Sequence, residues 1–226
     1  MKIVIFEPHP DDLLLGAGHF VFDWLKEGHD LHIITITDGS KCYETSPEEL
    51  SDEIRFMSAD KVRELRFQES KKVIEFLGLS QMNHHYLDFK DADGQKYVEE
   101  GIERVKGIIK DANRVVLPSK NNKHKDHQAA HDICMGAAKE LNLKNLEYWV
   151  YFLPLYGVFN RDSEDKQILI NISKTLRSRL LEWLQIYESQ SLMPQFWKTL
   201  NRFIKYSRTR RIAIFELKDY GKYYNF

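Results

Sequence analysis

Glu7 to His19 read EPHPDDLLLGAGH, and the run that leads into them, Lys2 to Pro8, reads KIVIFEP. β-Branched and apolar residues fill that run almost without interruption, as expected of a strand buried on both faces. The residues that follow, DDLLLGAGHFVFDWLKEG, carry a helical pattern that Gly28 ends as a C′ glycine. His9, Asp11 and Asp12 therefore occupy a strand-to-helix turn.

The same alternation continues outward. LHIITITDG (Leu31–Gly39) predicts a second buried strand. In SPEE, Ser46 is placed to cap a helix that starts at Pro47, with Glu49 as capping-box partner. A longer helix is predicted from about Ser58 to Leu77, with Val62, Leu65, Val73, Phe76 and Leu77 on one stripe and Gly78 ending it. HHYLDF (His84–Phe89) reads as a strand, DADG (Asp91–Gly94) as a turn, and KYVEEGIERVKGIIKDA as an amphipathic helix. RVVLP (Arg114–Pro118) is a short buried strand, and the polar loop SKNNKHKDH leads into the helix HQAAHDICMGAAKEL. LEYWVYFL predicts a fifth strand, followed by a helix around Ile172–Ser189 and a terminal strand, RRIAIFEL. Strands alternating with helices predict a Rossmann-like three-layer α/β fold, a mostly parallel sheet with helices on both faces, as one domain over residues 1–226.

With 42% hydrophobic residues in 226 the chain can bury a sizeable core. A net charge of −1 gives no reason to expect a nucleic-acid partner, and the basic run RTRR (Arg208–Arg211) reads as a solvated edge. Cys42 and Cys134 form no disulfide framework, and Cys134 reads as core. No apolar run approaches the roughly 20 residues of a membrane span, and MKIVIFEP lacks a leader pattern, so the expected address is the cytoplasm. Composition leaves the oligomeric state open.

In open parallel sheets ligands bind beyond the carboxyl ends of the strands. HPDD follows the first strand and HKDH follows RVVLP, so the topology brings both polar clusters to one rim. HPDD alone reads evenly as a site or as a turn, with Pro10 fixing the backbone and Asp11 capping a helix, and HKDH alone is better read as a solvated loop. Together, His9, Asp12 and His127 offer two imidazoles and a carboxylate, the donor set of a catalytic divalent ion, zinc first and ferrous iron next. Asp11 is left free to take a proton from water at such an ion.

HPDD…LGAG with HKDH resembles the LmbE-like, or PIG-L, family of metal-dependent N-deacetylases, which remove acetyl groups from N-acetylglucosamine-type sugars. TDGS (Thr37–Ser40), RFQES…LG (Arg66 to Gly78), YLDFKDADG and YESQ (Tyr187–Gln190) are similar to further family motifs, so the resemblance covers nearly the whole chain. It implies His9, Asp12 and His127 as metal ligands, Asp11 as general base, and His124 as oxyanion stabiliser or acid toward the leaving amine. It also implies that Asp126 orients an imidazole and that Arg66 contacts the sugar. Three positions depart from the family pattern. Leu13 replaces an acidic residue and His19 a second glycine, both changes expected in the site wall. Asn122 stands where thiol-pathway members carry tyrosine.

Other histidines read as structural: His84 and His85 in packing or surface roles, His29 and His32 at the far end of the second strand, and His131 as a poor fourth ligand. Trp183 and Trp197 read as core or interface, with Trp197 also able to line a cleft. The implied partner is a small N-acetylated sugar or glycoconjugate. The rival readings are an amidase or esterase of a non-sugar substrate on the same metal, and a non-catalytic glycan-binding descendant. A nucleotide-binding protein is disfavoured because no G-x-G-x-x-G or P-loop follows the first strand.

Overall fold

In the computed structural model, residues 1–44, 47–153, 161–216 and 219 are described. The elements are β1 (Lys2–Glu7), α1 (Asp12–Gly16), α2 (Gly18–Lys26), β2 (Asp30–Thr37), α3 (Asp52–Arg55), α4 (Ala59–Phe76), β3 (His84–Phe89) and α5 (Val98–Ile109). They continue with β4 (Arg114–Pro118), α6 (Lys125–Glu140), β5 (Glu147–Tyr151), β6 (Gln167–Asn171), α7 (Lys174–Leu184), α8 (Glu188–Ser191), α9 (Pro194–Tyr206) and β7 (Thr209–Phe215). One seven-stranded sheet runs in the order β3-β2-β1-β4-β5-β7-β6. The first five strands are parallel, and β7 pairs antiparallel with both β5 and β6. This is the expected three-layer α/β architecture.

Side chains along β1 point alternately to opposite faces of the sheet. Ile3 and Ile5 enter an apolar cluster with α1, α2, α4 and α7, while Val4 and Phe6 enter a second one with α5 and α6. Both faces are thus covered, which is why the central strands read as unbroken apolar runs. Chain order reverses direction across the sheet between β1 and β4, and the loops that leave these two strands diverge to form a crevice.

Several expectations are corrected. The helix expected from Asp11 onward is two helices, broken at Ala17 (φ −119°, ψ −5°). Glycines on either side weaken the helix, and a tertiary contact holds the break: a Cβ at Gly16 would run into the ring of Tyr151, whose hydroxyl donates to the Phe6 carbonyl at 2.8 Å. The HKDH segment is the beginning of α6 rather than loop. His124 is its N-cap, its Nδ1 accepting from the Asp126 N–H, and Asp126 lies in the first turn, where the dipole favours a carboxylate. RTRR is solvated as expected at Arg208, Thr209 and Arg211, but it opens an inner strand, β7, and the sheet edge beside it is β6; Arg210 lies 3.7 Å from the Phe203 ring centroid. The edge strand β6 and the amphipathic α9, which starts with Pro194 and buries Leu200 and Ile204, add to the expected elements. Ser46, the expected cap, lies outside the described residues, and Pro47–Glu49 form a single 3₁₀ turn. The helix expected from about Ser58 is α4, with Ser58 as its N-cap, and Gly28 and Gly78 take positive φ at the expected helix ends.

Replacing Gly16 with alanine should force the Tyr151 ring or α1 to move. The expected cost is about 1–3 kcal/mol, read as a lower urea midpoint with an unchanged m-value.

Candidate metal centre and cavity

Three loops meet at the carboxyl end of the sheet. The loop after β1 carries His9, Asp11 and Asp12; the β3–α5 loop carries Asp91; the β4–α6 connection and first turn of α6 carry Asn122, His124, Asp126 and His127. Ligand atoms of His9, Asp12 and His127 all lie within 4.8 Å of one another, and so do those of His9, His124 and Asp126. Asp12 Oδ2 is 3.0 Å from His9 Nδ1 and 3.3 Å from His127 Nε2, so one carboxylate oxygen faces both imidazoles. His127 is fully buried, and its Nδ1 lies 3.0 Å from the Asn122 amide nitrogen, which fixes the ring.

On its other side His9 Nε2 lies 3.2 Å from Asp126 Oδ2 and 3.4 Å from Asp91 Oδ1. Asp126 accepts the backbone N–H groups of Ala92 (2.8 Å) and Gly94 (2.9 Å), tying the β3–α5 loop to α6. That loop turns through Ala92 at φ +65°. Asp91 is held in turn by the Lys41 N–H, and its own N–H donates to Asp38.

Asp12, Asp91 and Asp126 are all buried, and such a set of carboxylates demands positive charge. Burial alone would lower the His9 pKa, but its hydrogen bonds to Asp12, Asp126 and Asp91 raise it well above the ordinary histidine value. A proton on His9 therefore supplies the cation that the cluster lacks. The chemistry of this donor set, two imidazoles and a carboxylate amid further carboxylates, fits a divalent metal ion. Burial pushes His127 down to about 3 and lowers His124, the latter also through charge on His9, so both are neutral near pH 7. Asp91 is held below the usual carboxylate range by His9, against the opposing effect of its burial.

Asp11 pairs with Arg66, its Oδ1 2.8 Å from Nη2, and lines the same cavity as His9 and His124. Arg66 is buried on the inner face of α4 beside Glu69 and Ser70, which explains the weak apolar stripe of that helix. Gly39, at φ +62°, gives the guanidinium its space: a Cβ there would stand 2.6 Å from Nε. Glu69 accepts from both the N–H and the hydroxyl of Ser189, so the R-x-x-E and S-Q segments are joined through one buried carboxylate.

These groups open into a cavity of about 290 Å³. His9, Asp11, Asp12, Asp91, His124 and Arg66 line it together with Lys41, Glu44 and Gln190, and Leu15, Leu153, Met193 and Phe196 add apolar surface. Every residue singled out for the site in the sequence is therefore at this rim. Asp91 was missed, although DADG follows a strand of the same sheet and so reaches the same edge; Asn122 was noted only as a departure. Leu13 and His19 do not alter the wall as expected: Leu13 packs in the core, and His19 is buried against Phe20. Trp197 does not line the cavity; its neighbour Phe196 does. His131 pairs with Asp132 and belongs to neither ligand group, and His32 and His85 pair with each other away from the site.

Comparison with known proteins fits this geometry. Residues 4–138, more than half of the chain, match the family described as PIG-L: GlcNAc-PI de-N-acetylase. The chain belongs to the PIG-L family. A diacetylchitobiose deacetylase of Thermococcus kodakarensis is 31% identical over 116 residues, which are 51% of this chain and 39% of that relative. The chain thus spans well under half the length of the curated relative it matches. Among solved structures, the zinc-inhibited form of a teicoplanin deacetylase superposes with a TM-score of 0.69 at 15% identity, over 97% of this chain and 100% of that one. A 4-carboxy-2-hydroxymuconate hydratase of Pseudomonas putida reaches 0.63 at 14% identity, over 96% and 95% of the two chains. These two show the fold alone. No described helix is long and apolar enough to cross a membrane.

Glu7, below the site, accepts from the Leu13 N–H and the Thr35 hydroxyl, and burial pushes its pKa up to about 8. The folded state then holds the Glu7 proton more tightly than the unfolded chain. The resulting stabilisation is complete below about pH 4.5 and is lost as pH rises through 8. In metal-free protein, urea unfolding should show stability falling over this window by up to about 5 kcal/mol, and Glu7→Gln should flatten that slope. An identical slope in the variant would place the titration elsewhere.

Proposed function

We propose that the protein is a metal-dependent N-deacetylase that hydrolyses the N-acetyl group of an N-acetylglucosamine-type sugar or glycoconjugate to acetate and a free amine. The observation that carries this reading is the convergence of His9, Asp12 and His127 at a cavity that Asp11 also lines, in a chain of the PIG-L family. In this reading those three residues hold a divalent ion, zinc or, as the second choice, ferrous iron. Such an ion, when bound, supplies Lewis acidity that polarises the amide carbonyl and brings the pKa of the attacking water toward about 7.

The remaining steps belong to side chains. Asp11, held by Arg66, takes the proton from water as it attacks the carbonyl carbon. His124, which also lines the cavity, donates a hydrogen bond toward the oxyanion, and the proton that Asp11 took from water passes to the departing nitrogen. Asp126 orients the His9 imidazole while bound to the backbone of the neighbouring loop. Arg66 lines the cavity, where it can also contact a sugar hydroxyl. Two free cysteines, Cys42 and Cys134, suit a reducing cytoplasmic setting. The relatives named above act on diacetylchitobiose and teicoplanin by their descriptions, and both descriptions are of deacetylation.

Asp11→Asn should lower the turnover number by about 10²–10⁴-fold with metal stoichiometry unchanged, measured by acetate release and by elemental analysis. Chelation should abolish acetate release from the unmodified enzyme, and zinc should restore it. Full activity of either the variant or the chelated protein would overturn the proposal, and hydrolysis of acyl esters in place of N-acetylhexosamines would favour the esterase alternative.

A further inference from the structure

The cavity has a mixed lining. Beside its ionic and polar groups stand four apolar side chains: Leu15 from α1, Leu153 after β5, and Met193 and Phe196 at the start of α9. A hexosamine presents hydroxyls around its ring and offers apolar side chains only a C–H face and the acetamide methyl, so four such side chains in one small cavity leave apolar surface for a further group. Leu15, Leu153 and Met193 are buried, and Phe196 packs against both the main core cluster and a smaller one built on Tyr43, Leu50, Val62 and Met193. This apolar surface is therefore preorganised, which reduces the entropy lost when a ligand settles on it. At about 290 Å³ the cavity lies at the lower end of small-molecule sites. It suits one sugar ring with a compact substituent and not an extended polysaccharide within its walls.

We propose that this apolar surface is a hydrophobic subsite and that the substrate carries an apolar substituent next to the scissile amide. The inference rests on the deacetylase reading and narrows it from N-acetylated sugars in general to those bearing an alkyl or aryl group. Two sources supply the same chemistry: the aglycone on the sugar, or an acyl chain longer than acetyl. Phe196 and Met193 determine specificity, because they stand on the first turn of α9 and at its N-cap, supported from behind by the core and not by any ligand-binding group.

The test uses zinc-loaded Asp11→Asn protein and isothermal titration calorimetry, so that binding is read without turnover. One arm is a series of N-acetylglucosaminides with methyl, propyl, butyl and phenyl aglycones. The other is methyl glucosaminide carrying acetyl, propionyl or butyryl on nitrogen. Affinity should rise by up to about fourfold per methylene that enters the subsite, equivalent to about 0.8 kcal/mol, along one series. The responding series names the source. The trend should weaken in Phe196→Ala and Met193→Ser. These residues also pack the core, so each variant is paired with a urea unfolding curve, and the trend in the parent protein stands independently of them. Flat affinity along both series, or an unchanged trend in folded Phe196→Ala protein, overturns the proposal. Acetate release from methyl N-acetylglucosaminide by the unmodified enzyme tests the deacetylase reading separately. Activity there with flat binding series refutes the subsite alone.

Discussion

Everything at the rim is organised by one electrostatic constraint: buried carboxylates from three loops share a single imidazole. Asp12, Asp91 and Asp126 all approach His9 within 3.4 Å. Like charges at that range repel strongly in a poorly solvated site, so the arrangement holds only with positive charge at its centre. In the protein alone a proton on His9 provides it, and in the proposed holoenzyme a divalent ion takes over that role. The fold meets the constraint by drawing the three loops from β1, β3 and β4, whose carboxyl ends share one edge of the sheet. Backbone N–H groups then hold the acids in place: those of Ala92 and Gly94 on Asp126, and that of Lys41 on Asp91.

Much of this was legible in the sequence. Continuous apolar strands alternating with amphipathic stretches gave a parallel sheet with two covered faces. Two polar clusters directly after strands gave a shared rim, because parallel topology leaves no other place for them. The unread parts have physical reasons. Asp91 belongs to DADG, and aspartate in such a turn is ordinary turn chemistry unless the opposing loop is known. The start of α6 was obscured because an N-capping histidine is uncommon, and here Asn122 and Asp126 complete the cap. The stripe of α4 was faint because the face it buries is partly ionic, with Arg66 and Glu69 serving the cavity and the Ser189 turn. The break between α1 and α2 comes from an aromatic ring on β5, a partner that no local pattern reveals.

The same fold also carries a hydratase in a structure of low identity, so architecture alone does not choose a chemistry. The chemistry rests on the placement of side chains: an ion-paired carboxylate and a neutral imidazole that both line the cavity, with apolar side chains in the same lining. In the proposed reading the ionic groups address the amide, and the apolar ones address a substituent next to it.

The contact between Gly16 and Tyr151 reaches further than local packing. The Tyr151 hydroxyl is committed to the Phe6 carbonyl, so its ring cannot swing aside without giving up that hydrogen bond at the end of the central strand. Positions 16 and 151 are consequently one steric unit despite their distance in the chain. Among diverging relatives that keep this kinked entry to the first helix, a bulkier residue at the first position should be accompanied by a slimmer one at the second, so the two columns should vary together.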